Sequence, residues 1–542
     1  MQTFHFASFA VCLSLLAAPS GAQCELDQFA AGDPFDDSRF GSALDVSGAI
    51  AVVGAPSSFV PSDPGAAYVF ERDGLLWVEV AKLTPPDGAS ADRFGTSVAV
   101  HGSTVVVGAP LDDDGGMSSG SAYVFTATGG AWSFARKLTA PDAAAGAVFG
   151  TAVAIQSDTI IVGAPRAPLN PGHGAAYVFV GSGANWSLQA QLAASDTALT
   201  QREFAETLAF DGDRCVIGTQ SDIAGGEGAA FVFERSGVAW SETAMLTATL
   251  PFPSPSVSDE FGSPVALDGD TIVVGAPGYD GGGSYDEGAA FVFVKNGAAW
   301  SQETMLVATG GATVTNVGRS LALAGDDVLL GSRVAVSGSV HHFRRRGTNW
   351  NELGSLLPAG ASDFDDVGAA LAVDGDTLLI ASSRAHTGSV TAGAVSAWSL
   401  AGLGCPSLLG APAAVSVGTG GTHRLRLDAG AAHAGELYLV LGSLRGSSPG
   451  FYFGGFVIPL TLPSPYFNLT LTNPNSAVLV NTFSALDAAG RSTAAFVLPP
   501  GSNPSLVGRT AHHAFVTLDF TSNPGALQIS FAGNAADVQL VP

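Results

Sequence analysis

Basic residues are scarce in this sequence. Against 47 Asp and Glu it carries 22 Lys and Arg over 542 residues, a formal net charge of −25. Such a chain lacks the cationic surface that nucleic acid or an anionic membrane would meet, so neither is expected as a partner. Charge of any kind is thin at 13%, yet 46% of residues are hydrophobic. That balance argues against disorder and is ample for two folded domains with real cores. Long apolar runs are missing as well: beyond the N-terminus no segment reaches the roughly 18 uninterrupted apolar residues of a membrane-spanning helix.

The first 22 residues lack Asp, Glu, Lys and Arg altogether, run apolar from Phe9 to Ala18 and end in "PSGA". They predict a signal peptide over 1–22, cleaved after Ala22, and a mature chain that is secreted or held at the cell surface. Gln23 before Cys24 is not the small residue that a lipoprotein anchor needs.

Glycine and proline are plentiful, 69 and 30 residues, alongside many Val, Thr, Ala and Phe. This composition favours short strands joined by turns. The stretch "FGTSVAVHGSTVVVGAP" from Phe94 has near-copies from Phe40, Phe149 and Phe261, and degenerate ones from Phe204, Val317 and Val367. In all seven units the Phe or Val lies 14 residues before the first residue of the Gly-Ala-Pro position. An aromatic strand follows, such as "AAYVF" at 66–70. In the first six units a Trp comes next, at Trp77, Trp132, Trp186, Trp240, Trp300 and Trp350. Runs such as "TVVVGA" are apolar without alternation, as a strand buried on both faces should be, while the Trp strand mixes in polar residues as an outer edge would. Four strands per unit, repeated radially, make an all-β, seven-bladed β-propeller.

The seventh unit lacks a fourth strand. Counting back from Phe40 places "CELDQF" at the start of the mature chain, where it would supply that strand and close the ring. Cys24 and Cys405 then fall at adjacent register positions beside the closure and are natural disulfide partners in an oxidising compartment. Cys215, in the apolar "CVIG", reads as an inert buried thiol.

These units resemble the FG-GAP repeats of the integrin alpha-subunit N-terminal propeller and of many secreted bacterial proteins, over residues 24 to about 403. The resemblance implies adhesion or ligand binding through loops on one face. In integrin-type blades calcium sits in a long Asp-rich loop between Phe-Gly and Gly-Ala-Pro. Here the 14-residue interval holds only tight turns such as "VHGS" and "LDGD". Integrin-style calcium sites are therefore not expected, no cofactor is, and calcium of another loop type is left open. Residues 405–542 lack Trp and the repeat, and alternating runs such as "HRLRLD" and "FNLTLT" predict a separate β-sandwich. With "GLGCP" at its start, it is similar to the accessory C-terminal domains of secreted planctomycete-type proteins.

Motifs that could carry chemistry are few. "GMSSG" at 116–120 has the Gly-x-Ser-x-Gly spacing of a nucleophile elbow but lies in a Gly-rich loop between strands rather than in a strand-to-helix turn. The pairs His341-His342 and His512-His513 place neighbours on opposite strand faces, poor geometry for one metal, and "RRR" at 344–346 reads as a solvated hairpin. The sequons at Asn185 and Asn468 matter only in a glycosylating host.

Connections between strands 2 and 3, and between blades, vary in length and would emerge on one face. They nominate ligand-binding residues Asp112, Asp113 and Asp114, then Asp259 and Glu260, then Tyr279, Asp280, Tyr285, Asp286 and Glu287. The acidic ones read either as solvated loop carboxylates or as ligands for a hard cation. The expected function is a secreted, non-catalytic binding or adhesion protein whose partner is an extracellular protein or polysaccharide. The alternatives are an extracellular polysaccharide lyase or hydrolase on the same scaffold, and a passive surface-layer component.

Overall fold

The computed structural model describes residues 24–400 apart from 36, 58–62, 74–75, 169–173, 196–202, 220–227, 250–258, 281–285, 310–313, 335–337, 359–360 and 388–389; past 400 it describes only the backbones of strands. Residues 24–400 form seven four-stranded antiparallel sheets. In blade 2 the strands are Ser97–His101, Thr104–Ala109, Ser121–Thr128 and Ala131–Leu138, paired in that order from the channel outward. The second strand is buried almost throughout, as in Thr159–Ala164 and Thr271–Ala276, because it lies between neighbouring sheets on both sides. The outer strands alternate, as in Ala239–Leu246, because one side meets water.

The repeated letters have a single physical cause, the close approach of consecutive blades. A Cβ on Gly54 of blade 1 would stand 2.1 Å from the Gly95 carbonyl oxygen of blade 2. One on Gly108 would stand 2.0 Å from the Gly150 oxygen of blade 3. The Phe-Gly of blades 2, 3 and 5 thus docks on the glycine at the Gly-Ala-Pro position of the blade before it. The Phe rings are sealed beside this contact, and Phe94 meets Tyr123 edge-on at 5.5 Å, as Phe40 meets Tyr68 and Phe149 meets Tyr177. Edge-to-face pairs of this kind add about 0.5–1.5 kcal/mol each beyond the area they bury.

The ring closes as the spacing predicts. Cys24–Phe29 pairs antiparallel with Ala394–Ser399 and is the outermost strand of blade 7, beyond Thr377–Ser382 and Val367–Asp374. Phe29 packs against Phe70 and Trp77 of blade 1 at 4.5 and 6.1 Å, and the Trp77 N–H donates to the Asp27 carboxylate at 2.6 Å. Cys215 is fully buried, and burial raises its thiol pKa, in keeping with an inert thiol. Cys405 and the segment 1–22 lie outside the described residues, as does the Cys24 side chain, so the disulfide and the signal peptide stay expectations. Beyond 400, the described strands pair into a four-stranded sheet containing Gly421–Asp428 and Arg491–Leu498 and a six-stranded sheet centred on Thr510–Asp519.

Candidate binding face and channel

Antiparallel order sorts every connection onto one of two faces. The turns between strands 1 and 2, such as Gly102-Ser103, and between strands 3 and 4, such as Gly129-Gly130, lie on one side. The glycines at 48, 102, 212, 269, 325 and 375 take positive φ at the first turn position, which tight hairpins favour for glycine, and Ser157 takes it at the same position of blade 3. All the longer connections lie on the opposite side, and with them every nominated binding residue that the structure describes.

Blade 2 uses its nominated acids internally. Asp112 is buried rather than solvated, and accepts hydrogen bonds from Tyr123 Oη at 2.7 Å, Lys137 Nζ at 2.9 Å and the Asp114 N–H at 3.0 Å. Burial pushes its carboxyl upward, but Lys137 and Tyr123 outweigh this and hold it below the usual range. Lys137 also meets Asp87 at 2.9 Å and Asp114 at 2.6 Å, and Asp113 accepts the Ser118 N–H at 2.6 Å. This cluster staples the 110–120 loop to the outer strand. It also accounts for "GMSSG": Ser118 sits in that loop at positive φ, with no helix after it.

Blades 4 and 5 present a different arrangement. Asp259 and Tyr279 are buried, and Tyr279 stands edge-on to Phe291 at 6.3 Å. Buried Asp280 accepts the Asp286 N–H through Oδ1 at 2.7 Å, whereas its Oδ2 is buried without a partner. Glu260 is raised by burial and by nearby Asp286. Glu206, which was not nominated, is pushed up to about 7 by burial and by the charges of Glu203 and Glu260, with Arg166 opposing. Its Oε2 is buried without a partner, and Arg166 is instead paired with Glu203 at 2.7 Å. Glu287 adds a further negative charge near Tyr279, and Tyr285 lies outside the described residues. The blade-5 set and the blade-2 set are therefore two separate groups.

Glu206 had a signal in the sequence. Two residues after the Phe, blades 1, 2, 3 and 5 place Ser42, Thr96, Thr151 and Ser263, so a Glu is a departure at a crowded point. Blade 6 places Arg319 there and pairs it with Asp366 at 2.7 Å. The residue just before the Phe or Val is charged in blocks: Arg39 and Arg93 in blades 1 and 2, Glu203 and Glu260 in blades 4 and 5, Asp366 in blade 7. The loop side thus has an acidic sector over blades 4 and 5 and arginines at the same position on blades 1 and 2.

The inner strands enclose a channel of about 700 Å³. Their free edges are capped from the preceding blade. Asp374 accepts the Gly48 N–H at 2.5 Å, Asp211 that of Gly269 at 2.8 Å, Asp268 that of Gly325 at 2.6 Å, and Asp45 that of Val100 at 2.7 Å. Burial pushes Asp45 up to about 7 against the pull of the Val100 and Val46 N–H groups, with Asp374 adding to the rise. Among the described residues no group of three or more His, Cys, Asp and Glu is arranged to hold a metal ion. The two adjacent histidines diverge, His341 to Glu352 and His342 to Asp327. The "RRR" run is less solvated than its letters suggest, since Arg344 pairs with Asp327 and Arg345 with Asp326.

The FG-GAP repeat profile matches residues 77–125, 132–179 and 240–293. The chain carries FG-GAP repeats. Each match starts at a Trp, Trp77, Trp132 or Trp240, and ends in the third strand of the next blade, so the FG-GAP unit in sequence straddles the blade junction just described. No curated protein matches the sequence. Among solved structures it is similar to a protein from Bacteroides uniformis described as a 6-phosphogluconolactonase, at 13% identity and a TM-score of 0.40, over 58% of this chain and 85% of that one. A Lactobacillus plantarum protein gives 13% and 0.41 over 61% and 87%, and one from Bacteroides fragilis, described in the same way as the first, gives 12% and 0.41 over 60% and 85%.

Proposed function

We propose that this FG-GAP propeller is a secreted binding or adhesion protein that meets an extracellular protein or polysaccharide with its loop side, where it is non-catalytic. The observation that supports this reading is the sorting of connections, with two-residue hairpin turns on one side and all the variable loops on the other. A rigid ring that frees one side for sequence variation is the arrangement binding scaffolds use. The acidic sector, Glu203, Glu206, Glu260, Asp286 and Glu287, favours a partner carrying basic groups there, and Tyr279 gives the 276–289 loop a buried anchor. The test is a glycan and matrix-protein array probed with the mature chain. Binding that disappears when the 278–288 loop is shortened supports the reading, and binding insensitive to every loop change overturns it.

The pair Glu206 and Glu260 favours one second reading, a polysaccharide lyase or hydrolase. Glu206, raised by burial and by the charges of Glu203 and Glu260, supplies a group that holds a proton near neutrality, beside another carboxyl that can accept one. Turnover of a polysaccharide panel, lost in Glu206→Gln, would select it.

A further inference from the structure

Blade 6 differs from blades 1, 3 and 5 at three positions that meet in space. Where blades 1, 3 and 5 have Ala55, Ala164 and Ala276, it has Ser332; where they have Ala66, Ala175 and Ala289, it has Ser339. Where they have Tyr68, Tyr177 and Phe291, it has His341. Ser332 and Ser339 are register partners across adjacent strands, and their hydroxyl oxygens stand 2.8 Å apart. Ser339 Oγ lies 3.2 Å from His341 Nε2, and His341 Nδ1 lies 2.8 Å from Glu352 Oε1. The other oxygen of Glu352 accepts both the N–H and the hydroxyl of Thr309, at 2.7 and 2.5 Å.

A carboxylate so held fixes the ring. Burial would raise Glu352, but the bonds from Thr309 and His341 keep it below the ordinary range, hence ionised. An ionised Glu352 can only accept, so Nδ1–H donates to it, which leaves Nε2 as the acceptor facing the serines. Nucleophile, base and orienting carboxylate are then in hydrogen-bonding sequence, the logic by which a serine is activated. Of the two serines, Ser332 is fully buried and Ser339 half-buried, so only Ser339 is placed to meet a reagent from solvent. Packing alone does not call for the set, since blade 5 fills the same positions with Ala276, Ala289 and Phe291.

We propose that Ser339 is an activated nucleophile that takes the acyl group of a small carboxylic ester, with His341 as its base and Glu352 as the positioning residue. In the step, Ser339 Oγ bonds to the ester carbonyl carbon as its proton passes to His341 Nε2. The ester C–O bond then breaks, and that proton leaves on the departing alcohol. The activity would be separate from partner binding on the loops of blades 4 and 5 and does not rest on it.

The test exposes the folded mature chain to a fluorophosphonate probe and to p-nitrophenyl acetate, with peptide mapping of the adduct. Modification at Ser339 is expected, and Ser339→Ala, which restores the alanine of blades 1, 3 and 5, should abolish it without changing the melt. His341→Gln should slow modification by about 100-fold or more, the usual weight of a general base. Glu352→Gln should slow it and shift the pH midpoint of the rate, while Ser332→Ala should leave it in place. Modification no faster than in the unfolded chain, or unchanged in Ser339→Ala, would overturn the proposal.

Discussion

At the scale of single residues, departures from the repeat are more telling than the repeat itself. Ala205 stands where the other Phe-Gly units have glycine and takes φ of 71°, a region that costs an L-residue with a Cβ about 1–2 kcal/mol. Ala205→Gly should therefore stabilise the propeller by about 0.5–1 kcal/mol after the added unfolded-state entropy, read as a higher denaturant midpoint at constant slope. Glu206, the next residue, gives a pH signature. Its folded pKa of about 7 lies above the ordinary value of 4.5, so the native state binds the proton more tightly than the unfolded chain does. Its contribution is thus full below about pH 4.5 and is lost as the pH climbs to about 7, on the order of 2 kcal/mol for this partly shielded group. Glu206→Gln should flatten that part of the stability profile and leave the protein more stable at pH 8. A profile unchanged by the substitution would contradict the burial of its carboxyl.

Among elements, the closing strand is the most exposed to test. Cys24–Phe29 is held by pairing along one edge, by Phe29 against Phe70 and Trp77, and by Asp27 on the Trp77 N–H. Phe29→Ala should cost about 3–5 kcal/mol and make the N-terminal strand cleavable by protease before the rest of the ring opens. Protection equal to that of the unaltered chain would mean that the strand is not what closes blade 7. This strand was legible in the sequence because fixed spacing survives where letters do not: counting 17 residues back from Phe40 reaches Gln23, next to Cys24, whatever the residues between. The candidate sites were legible only in part. Asp112 looked like a loop carboxylate because Lys137, which buries it, lies a strand and a turn away. Glu206 and the Ser339–His341–Glu352 set stand out only once cross-strand and cross-blade neighbours are known, although Glu206 and His341 were each visible as a break in an otherwise regular column.

For the whole molecule, the FG-GAP ring is a device for holding position. Glycine-to-backbone docking at each junction, edge caps such as Asp374 on Gly48, and a strand recruited from the N-terminus together fix the blades. Because the 14-residue hairpins carry no metal loop, the propeller should melt at the same temperature with and without a chelator. A drop of many degrees would locate a cation in the loop-side acids, with Asp280 the first suspect. The central claim is that one side of the ring binds and the other supports. The most direct measurement compares partner binding by the mature chain, by a variant shortened across 278–288, and by one altered in the turns at Ser103 and Ala298. Binding lost in the first variant alone, at unchanged melting temperature, is the predicted result, and equal loss from the turn variant would contradict it.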